Sequence, residues 1–265
     1  MQMNGARALL ESLKAEGVEV VFGYPGGAVL TLYDEVYKMN FPHVLTRHEQ
    51  GAAHAADGYA RASGKVGVAF ATSGPGATNL VTGIATAHMD SVPMVCITGQ
   101  VANPYIGKDS FQEADIVGIT TPITKHNYLV KDVNDIPRVV KEAFYIARTG
   151  RPGVVVIDVA KDVFDTPIEY CYPEMVELHG YTGDVPYEVP AVWEVAEALA
   201  AAHRPLLFVG GGVVLSDTAK YVRELLALTG MPSVATLMGI GGVPAETEGY
   251  TGMAGMHGAY ASNMA

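Results

Sequence analysis

The sequence has little positive charge, few cysteines and no long apolar run. Its 265 residues include 17 lysines and arginines against 28 aspartates and glutamates, which gives a formal net charge of −11. Nucleic-acid binding and attachment to an anionic membrane both rely on basic patches, and no such patch is found in the sequence. We therefore expect a small-molecule ligand, with neither a nucleic acid nor a membrane as partner.

The scarcity of cysteine excludes two further kinds of site. Only Cys96 and Cys171 occur, one in an apolar run and one in a proline-rich stretch. Two such residues suggest neither a disulfide framework nor a thiolate metal cluster. The eight histidines are scattered and lack the HExxH arrangement, so no metal site is predicted within this chain. A reducing cytoplasm is the expected location.

The apolar segments have the length of strands. The longest, such as "GVVVIDVA", fall far short of the roughly 20 residues that cross a bilayer. At the N-terminus, Ala6, Leu9, Leu10 and Leu13 have the spacing of an amphipathic helix that ends at Gly17, which is not the pattern of a signal peptide. We expect a soluble protein.

Strand-like and helix-like segments alternate along most of the chain. The runs "VEVVF", "GVAFATS", "PMVCITG" and "GVVVIDV" are separated by Ala-rich or amphipathic stretches, and "DIPRVVKEAFYIARTG" is predicted to be a helix. Continuously apolar strands between helices indicate an α/β fold whose parallel sheet is flanked by helices. A proline-rich stretch without periodicity interrupts the alternation. We predict a first domain over 1–165, a linker over 166–190 and an incomplete second α/β domain over 191–265.

Three glycine-rich turns follow predicted strands, where open α/β sheets bind ligands. They are "GYPGGAV" at 23–29, "TSGPGATN" at 72–79 and "VGGGVV" at 209–214. Glycine lets the backbone approach a ligand, although a tight strand-to-helix turn also requires it. None of the three matches GxGxxG or GxxxxGK[ST], so an ordinary dinucleotide or triphosphate site is not predicted.

Glu49 in "TRHEQGAAHAADGYARASGK" allows two interpretations. An acid in the first turn of a helix is favoured by the helix dipole, and the following alanines are strong helix formers. Alternatively, a carboxylate among small apolar side chains is shielded from water and suits proton transfer. The spacing of the residues alone leaves both open.

Taken together, these segments resemble a known family. "VFGYPGGAV", the stretch from "TRHEQG" to "CITGQV", "DSFQEADIVGITTPITKHNYLV", "GRPGVVVIDVAKDV", "VGGGVV", "TLMG" and "GMHG" are similar, in order and spacing, to the large catalytic subunit of acetohydroxyacid synthase, also called acetolactate synthase. The resemblance implies the pyrimidine-binding domain of thiamine-diphosphate enzymes, followed by part of a Rossmann-like FAD-binding domain. Other thiamine-diphosphate enzymes share the Glu49 region and the GPG loop. The segments "FQEAD", "KDV" and "GMHG" narrow the resemblance to the enzymes that synthesise acetolactate.

The resemblance gives Glu49 a definite role. The matching glutamate of the family hydrogen-bonds a ring nitrogen of the cofactor's aminopyrimidine and promotes loss of a proton from the thiazolium carbon. Pyruvate is then decarboxylated and condensed with pyruvate or 2-ketobutyrate, the first step of branched-chain amino-acid biosynthesis. The alanines and glycines after Glu49 are interpreted as a close-packed wall beside the cofactor ring.

Other positions carry over one by one. The residues implied to contact thiamine diphosphate, besides Glu49, are Tyr24, Pro25, Gly26, Gly27, Ala28, Thr72, Pro75 and Asn79. Gln112 is implied to act beside the reacting carbons as a catalytic residue. The implied substrate contacts are Phe111, Lys161 and Met256. The implied FAD contacts are Arg151, Gly210, Gly211, Gly212, Thr236, Leu237, Met238, Gly255, Met256 and His257.

The sequence departs from the family in two respects. Val154 and Ala160 stand where proline is common. Family members are also more than twice this length, and the GDG…N cation motif is absent, so the Mg²⁺ ligands are expected outside this chain and the chain alone is expected to be inactive. The resemblance further implies a homodimer or tetramer and a small regulatory subunit. Another thiamine-diphosphate 2-ketoacid decarboxylase or oxidase, or a non-catalytic binding or dimerisation fragment, remains as an alternative.

Overall fold

The computed structural model describes residues 2–183 and 186–265, which form two compact units divided between residues 185 and 186. The strands of the first unit are β1 (Gln2–Asn4), β2 (Val21–Gly23), β3 (His43–Leu45), β4 (Gly67–Ala71), β5 (Met94–Gln100), β6 (His126–Val130), β7 (Val154–Ala160) and β8 (Pro167–Glu169). Its helices are α1 (Gly5–Ala15), α2 (Leu30–Lys38), α3 (Glu49–Ser63), α4 (Pro75–Thr78), α5 (Val81–Met89), α6 (Ile116–Thr120), α7 (Ile136–Arg148) and α8 (Lys161–Asp165).

Six of these strands form one parallel sheet in the order β3-β2-β4-β5-β7-β6. The central strands β4, β5 and β7 are buried along their whole length, which explains why their sequences are continuously apolar. Successive side chains alternate between two cores: Phe70 and Ile97 face one, Ala69 and Cys96 the other. The predicted parallel sheet with helices on both faces is confirmed.

Helices α1 and α7 begin or end close to the residues that the sequence predicts. Asn4 caps α1 by accepting a hydrogen bond from the Arg7 amide at 2.9 Å, and Gly17 adopts a left-handed φ of +77° just after the helix. The predicted helix around 135–150 is α7, and Gly150 follows it at φ +58°. Glycine at such positions ends a helix without steric cost.

The alanines of α3 pack against protein. A Cβ atom added to Gly67 of β4 would lie 2.1 Å from the carbonyl oxygen of Ala56, and one added to Gly83 of α5 would lie 2.4 Å from Cβ of Ala53. Small residues are therefore required because the backbones approach closely. Ala52, Ala53, Ala56 and Ala60 are buried where α3 packs on β4 and α5, so the interpretation as a wall beside a cofactor does not apply to these four alanines.

Much of the predicted linker packs on the first unit. β8 pairs with β1 in antiparallel fashion, with Met3 opposite Ile168. The hydroxyl of Tyr172 donates to Glu16 at 2.7 Å, and Tyr181 lies against the main core. These contacts extend the first unit beyond residue 165. The predicted linker also includes Asp184 and Val185, which lie outside the described residues.

The second unit is a smaller α/β unit. Its elements are α9 (Val189–Ala201), β9 (Leu207–Val209), α10 (Gly211–Leu215), α11 (Ala219–Thr229), β10 (Ser233–Ala235), β11 (Tyr250–Met253) and α12 (Tyr260–Met264). The three strands are parallel in the order β11-β10-β9. The predicted helix–strand alternation is therefore confirmed here as well. Across both described ranges, the helices lack the combination of length and apolar character needed to span a bilayer.

Candidate functional site

Loops after the strands of the six-stranded sheet meet at its carboxyl edge. The chain leaves β2 toward β3 on one side and leaves β4 toward β5 on the other. The loops that follow β2 and β4 therefore diverge, and such a point in an open α/β sheet forms a crevice for a ligand. The first two glycine-rich turns, 23–29 and 72–79, lie at this position.

Glu49 is the first residue of α3 and is 8% exposed. His48 caps the helix, its Nδ1 accepting from the Gln50 amide at 3.1 Å. The Glu49 side chain turns inward, where its Oε2 accepts a hydrogen bond from Nδ2 of Asn79 at 2.9 Å. Glu49 therefore starts a helix, as the first interpretation requires, and also presents a buried carboxylate at the crevice, while its role in proton transfer stays a prediction.

The two glycine-rich turns touch each other through Thr72. Its Oγ1 accepts from the Ala28 amide at 3.1 Å. A Cβ added to Gly26 would lie 2.4 Å from Cγ2 of Thr72. A Cβ added to Gly76 would lie 2.7 Å from the same methyl group and 3.2 Å from Oε1 of Glu49. Glycine at 26 and 76 therefore lets these loops close around the carboxylate.

The remaining residues predicted on these turns lie in the same two loops. Tyr24 is 40% exposed, and its amide donates to the Phe70 carbonyl at 3.4 Å. Pro25 and Gly27 follow it, and Pro75 starts α4. The structure thus brings the whole predicted set from both turns to one edge of the sheet.

A cavity of about 570 Å³ opens beside this cluster. Five residues predicted from the resemblance line it together: Gly27, Ala28, Phe111, Gln112 and Lys161. Phe111 is 88% exposed at the surface of the chain. Glu49 lies outside the lining. The lining residues that the sequence reasoning missed are Ser73, Val101, Ala102, Tyr105, Ser110, Asp162 and Asp165.

We use the name Gln112 loop for residues 107–115. Gln112 has a left-handed φ of +59°. Gly74, with φ +56°, packs closely on this residue, because a Cβ on Gly74 would lie 2.5 Å from the carbonyl oxygen of Gln112. Within the loop, Glu113 accepts from the amides of Ser110 at 2.8 Å, Gly107 and Lys108. The amides of Ser110 and Gly107 contribute most to holding the pKa of Glu113 below its ordinary value. Glu113 thus organises a strained loop.

A buried polar network lies beneath the Gln112 loop. Asp158 of β7 is 1% exposed. It accepts from Oγ1 of Thr98 at 2.6 Å and from Nε2 of Gln100 at 2.9 Å. Burial is the largest effect on this carboxyl and raises its pKa to about 6. Sequence reasoning missed the network, although polar residues inside the apolar runs "MVCITGQ" and "VVVIDVA" gave a signal.

Arg151 lies apart from this cluster within the first unit. It precedes β7, and its Nε donates to Oγ of Ser91 at 2.7 Å while Nη2 donates to the Met89 carbonyl at 3.3 Å. Ser91 and Met89 precede β5, so Arg151 stands at the edge where the parallel strands begin. The cavity lies at the opposite edge.

In the second unit, the other residues implied to contact FAD all follow strands. Gly210, Gly211 and Gly212 follow β9; Thr236, Leu237 and Met238 follow β10; Gly255, Met256 and His257 follow β11. The strands are parallel, so the three sets share one carboxyl edge.

Contacts between these turns fix their spacing. The Thr236 amide donates to the Val209 carbonyl at 2.9 Å, and a Cβ on Gly211 would lie 2.9 Å from Cβ of Met238. Gly255 and Asn263 exchange two hydrogen bonds, at 2.8 and 3.0 Å. Met256 is 92% exposed. The turns after β9 and β10 are therefore in contact, and the turn after β11 lies at the same carboxyl edge.

Metal ligation finds no support within the part of the chain that the structure describes. No group of three or more histidine, cysteine, aspartate or glutamate side chains there could hold an ion.

Comparison with known proteins shows which proteins this chain resembles. Residues 3–119 match the family described as "Thiamine pyrophosphate enzyme, N-terminal TPP binding domain", and residues 192–265 match "Thiamine pyrophosphate enzyme, central domain". Acetolactate synthase from Mycobacterium bovis is 53% identical over 98% of this chain and 42% of its own length. The acetolactate synthase large subunit of Haemophilus influenzae is 48% identical over 100% of this chain and 47% of its own length.

A third relative agrees with these two. Acetolactate synthase isozyme 3 large subunit from Escherichia coli is 47% identical over 99% of this chain and 46% of its own length. The chain spans less than half the length of these curated relatives. It matches two domain models of the thiamine pyrophosphate enzymes, and its resemblance to the acetolactate synthase large subunits is confirmed.

Proposed function

We propose that this chain supplies the pyrimidine-side half of an acetolactate synthase site. The full protein would decarboxylate pyruvate with thiamine diphosphate and condense the product with a second 2-ketoacid, either pyruvate or 2-ketobutyrate. The observation that carries the proposal is the buried Glu49 carboxylate, held by Asn79 at the divergence of the loops after β2 and β4.

The residues around Glu49 fit the aminopyrimidine of thiamine diphosphate. The carboxylate is shielded from water, and its Oε2 is oriented by the Asn79 amide. Gly26 and Gly76 keep side chains out of the space next to Thr72 and Glu49. The loops after β2 and β4 can therefore pack closely around the carboxylate that the ring would meet.

When bound, thiamine diphosphate would supply an acidic thiazolium carbon as the nucleophile toward the ketone of pyruvate, and its cationic ring would take up the electron pair released with carbon dioxide. The contribution of this chain is proton transfer and orientation. Glu49 would share a proton with a pyrimidine ring nitrogen, and the low exposure of its side chain keeps most of the carboxyl surface away from bulk water. Ala28 and Thr72, which join the two loops by a hydrogen bond, would contact the ring and help to orient it.

The cavity beside the cluster suits a small 2-ketoacid. Lys161 brings a positive charge to the lining and would attract the substrate carboxylate. Two nearby acids already have partners, since Asp162 accepts from the Asn103 amide at 3.0 Å and Asp165 accepts from Oγ1 of Thr31 at 2.7 Å. Gln112 would orient the reacting carbons, with Phe111 beside the entrance.

We infer that the second unit contributes to a flavin site. The turns at the carboxyl edge of β9, β10 and β11 carry glycine at 210, 211, 212 and 255, so no side chain covers the backbone at these positions. Arg151 and Met256 would add contacts in the assembled protein. Flavin absorbance in the purified full-length protein is the expected result, and its absence after reconstitution with FAD would contradict this assignment.

The same proposal places Mg²⁺ and its ligands outside this chain. A homodimer or tetramer would complete the site, with Glu49 acting on cofactor held largely by the partner subunit. The large-subunit names of the relatives support a small regulatory subunit. A cytoplasmic location is proposed in keeping with two free cysteines, Cys96 and Cys171.

The deciding experiment supplies pyruvate, thiamine diphosphate, Mg²⁺ and FAD to the full-length gene product. Acetolactate as the main product is expected. Acetaldehyde or acetyl phosphate as the main product would instead indicate another thiamine-diphosphate decarboxylase or oxidase. No turnover in a protein that still binds the cofactor would support a non-catalytic module.

A further inference from the structure

We propose that Asp158 is a positioning residue for the Gln112 loop. Its carboxylate orients the side chain of Gln100, and Gln100 holds the backbone carbonyl of Ala114, two residues after Gln112.

Every polar group of the Gln100 amide has a partner. Nε2 donates to Oδ2 of Asp158 at 2.9 Å and to the Ala114 carbonyl at 2.8 Å, while Oε1 accepts from the Val101 amide at 2.9 Å. Reversing the amide would break all three hydrogen bonds. The side chain therefore has one favourable orientation, which the carboxylate and the Ala114 carbonyl fix as acceptors and the Val101 amide fixes as a donor.

The Gln112 loop needs such a support. Gln112 and Asp109 have φ angles of +59° and +51°, a conformation that side-chain-bearing residues hold only when surrounding contacts fix it. Glu113 binds amides of the loop itself. Among the hydrogen bonds of the described residues, the Gln100–Ala114 bond is the one that joins this loop to the six-stranded sheet.

Thr98 provides the matched control. It donates to the other oxygen of the same carboxylate, Oδ1, at 2.6 Å and makes no hydrogen bond to the loop. Removing its hydroxyl takes away one hydrogen bond of the Asp158 carboxylate. The hydrogen bonds from Asp158 to Gln100 and from Gln100 to Ala114 remain.

The test is hydrogen–deuterium exchange, read by mass spectrometry, on the full-length protein. In Asp158→Asn, only one oxygen remains as an acceptor, so Nε2 of Gln100 and the Thr98 hydroxyl compete for it and Gln100 is held less firmly. We expect the protected amides of 107–115 to exchange about tenfold faster, with the peptide covering β4 unchanged. Thr98→Val should leave loop exchange at the wild-type rate.

A second variant distinguishes loss of this hydrogen-bonded path from general unfolding. Gln100→Leu should give the same faster loop exchange, and the Asp158→Asn, Gln100→Leu double variant should exchange no faster than Gln100→Leu, because both changes break one path. Unchanged loop exchange in either single variant would overturn the inference. Equally faster exchange in the loop and in β4 would also overturn it, since that reflects general destabilisation.

The consequence for turnover rests on the proposed function. If Gln112 orients the reacting carbons, Asp158→Asn should lower kcat about tenfold while changing the KM for pyruvate less than twofold. Faster loop exchange with unchanged kcat would support the positioning role and count against the role of Gln112 in the reaction. Unchanged loop exchange would reject the positioning role whatever the turnover.

Discussion

Asn79 donates a hydrogen bond from its side-chain amide to the Glu49 carboxylate at 2.9 Å. The contact joins the first turn of α3 to the loop after β4, so two elements far apart in sequence fix one buried acid. A carboxylate held in this way presents its remaining oxygen in a set direction. Its direction, and not only its burial, is what proton transfer to a ring nitrogen requires.

Asn79→Ala should weaken cofactor activation without abolishing it. Hydrogen bonds to charged groups contribute about 1.5–3 kcal/mol, so loss of the donor should slow proton exchange at the thiazolium carbon by about tenfold or more in the full-length protein. The matched control is Thr78→Val, because Thr78 is the half-buried neighbour whose hydroxyl donates to the Pro75 carbonyl at 3.2 Å. Equal exchange rates in the two variants would argue against the role of Asn79.

The close approach of α3 to α5 predicts opposite effects at two helical glycines. Gly83→Ala would place a methyl group 2.4 Å from Cβ of Ala53, and overpacking of this kind typically costs about 1–3 kcal/mol. Gly58→Ala meets no atom within 4 Å and should stabilise the helix by about 0.5–1 kcal/mol. Urea unfolding of both variants measures the two effects, and a neutral Gly83→Ala would contradict the described packing.

Asp158 predicts a pH dependence of stability. Burial raises its pKa from 3.8 to about 6, so the folded protein binds this proton at a higher pH than the unfolded chain. Its contribution to the free energy of unfolding therefore falls as pH rises from about 4 to about 6, by about 3 kcal/mol if the unfolded carboxyl titrates normally.

The same titration has a direct control in Asp158→Asn. Urea titrations at several pH values should show the stability of the wild type falling relative to this variant as pH rises through that window. A difference between the two proteins that is independent of pH would contradict the raised pKa.

The parallel sheet was predictable because strands buried on both faces leave an unmistakable apolar signal. The packing of 167–183 on the first unit was not, since β8 is three residues long and its pairing with β1 joins the two ends of that unit. Resemblance assigned Glu49 and Gln112, and the fold explains how loops after different strands bring them to one edge.

The contacts of the Asp158 network were not predicted from the sequence. The sequence around Asp158 or Gln100 alone does not predict that the two side chains meet. Their contact depends on the register that pairs β5 with β7 and places Thr98 opposite Asp158. Polar residues within otherwise buried strands are the signal that could have singled them out. Their partner Ala114 contributes only a backbone carbonyl, which no side-chain pattern reveals.

The most direct test of the account is proton exchange at the thiazolium carbon of bound thiamine diphosphate, followed by NMR in the full-length protein and its Glu49→Gln variant. The change keeps the size of the side chain and removes the acid. Glu11→Gln on α1 makes the same chemical change outside the cluster and should leave exchange unaltered. We expect Glu49→Gln to keep the fold and slow exchange by about 10²–10⁴-fold. Exchange at the wild-type rate would contradict the role of Glu49.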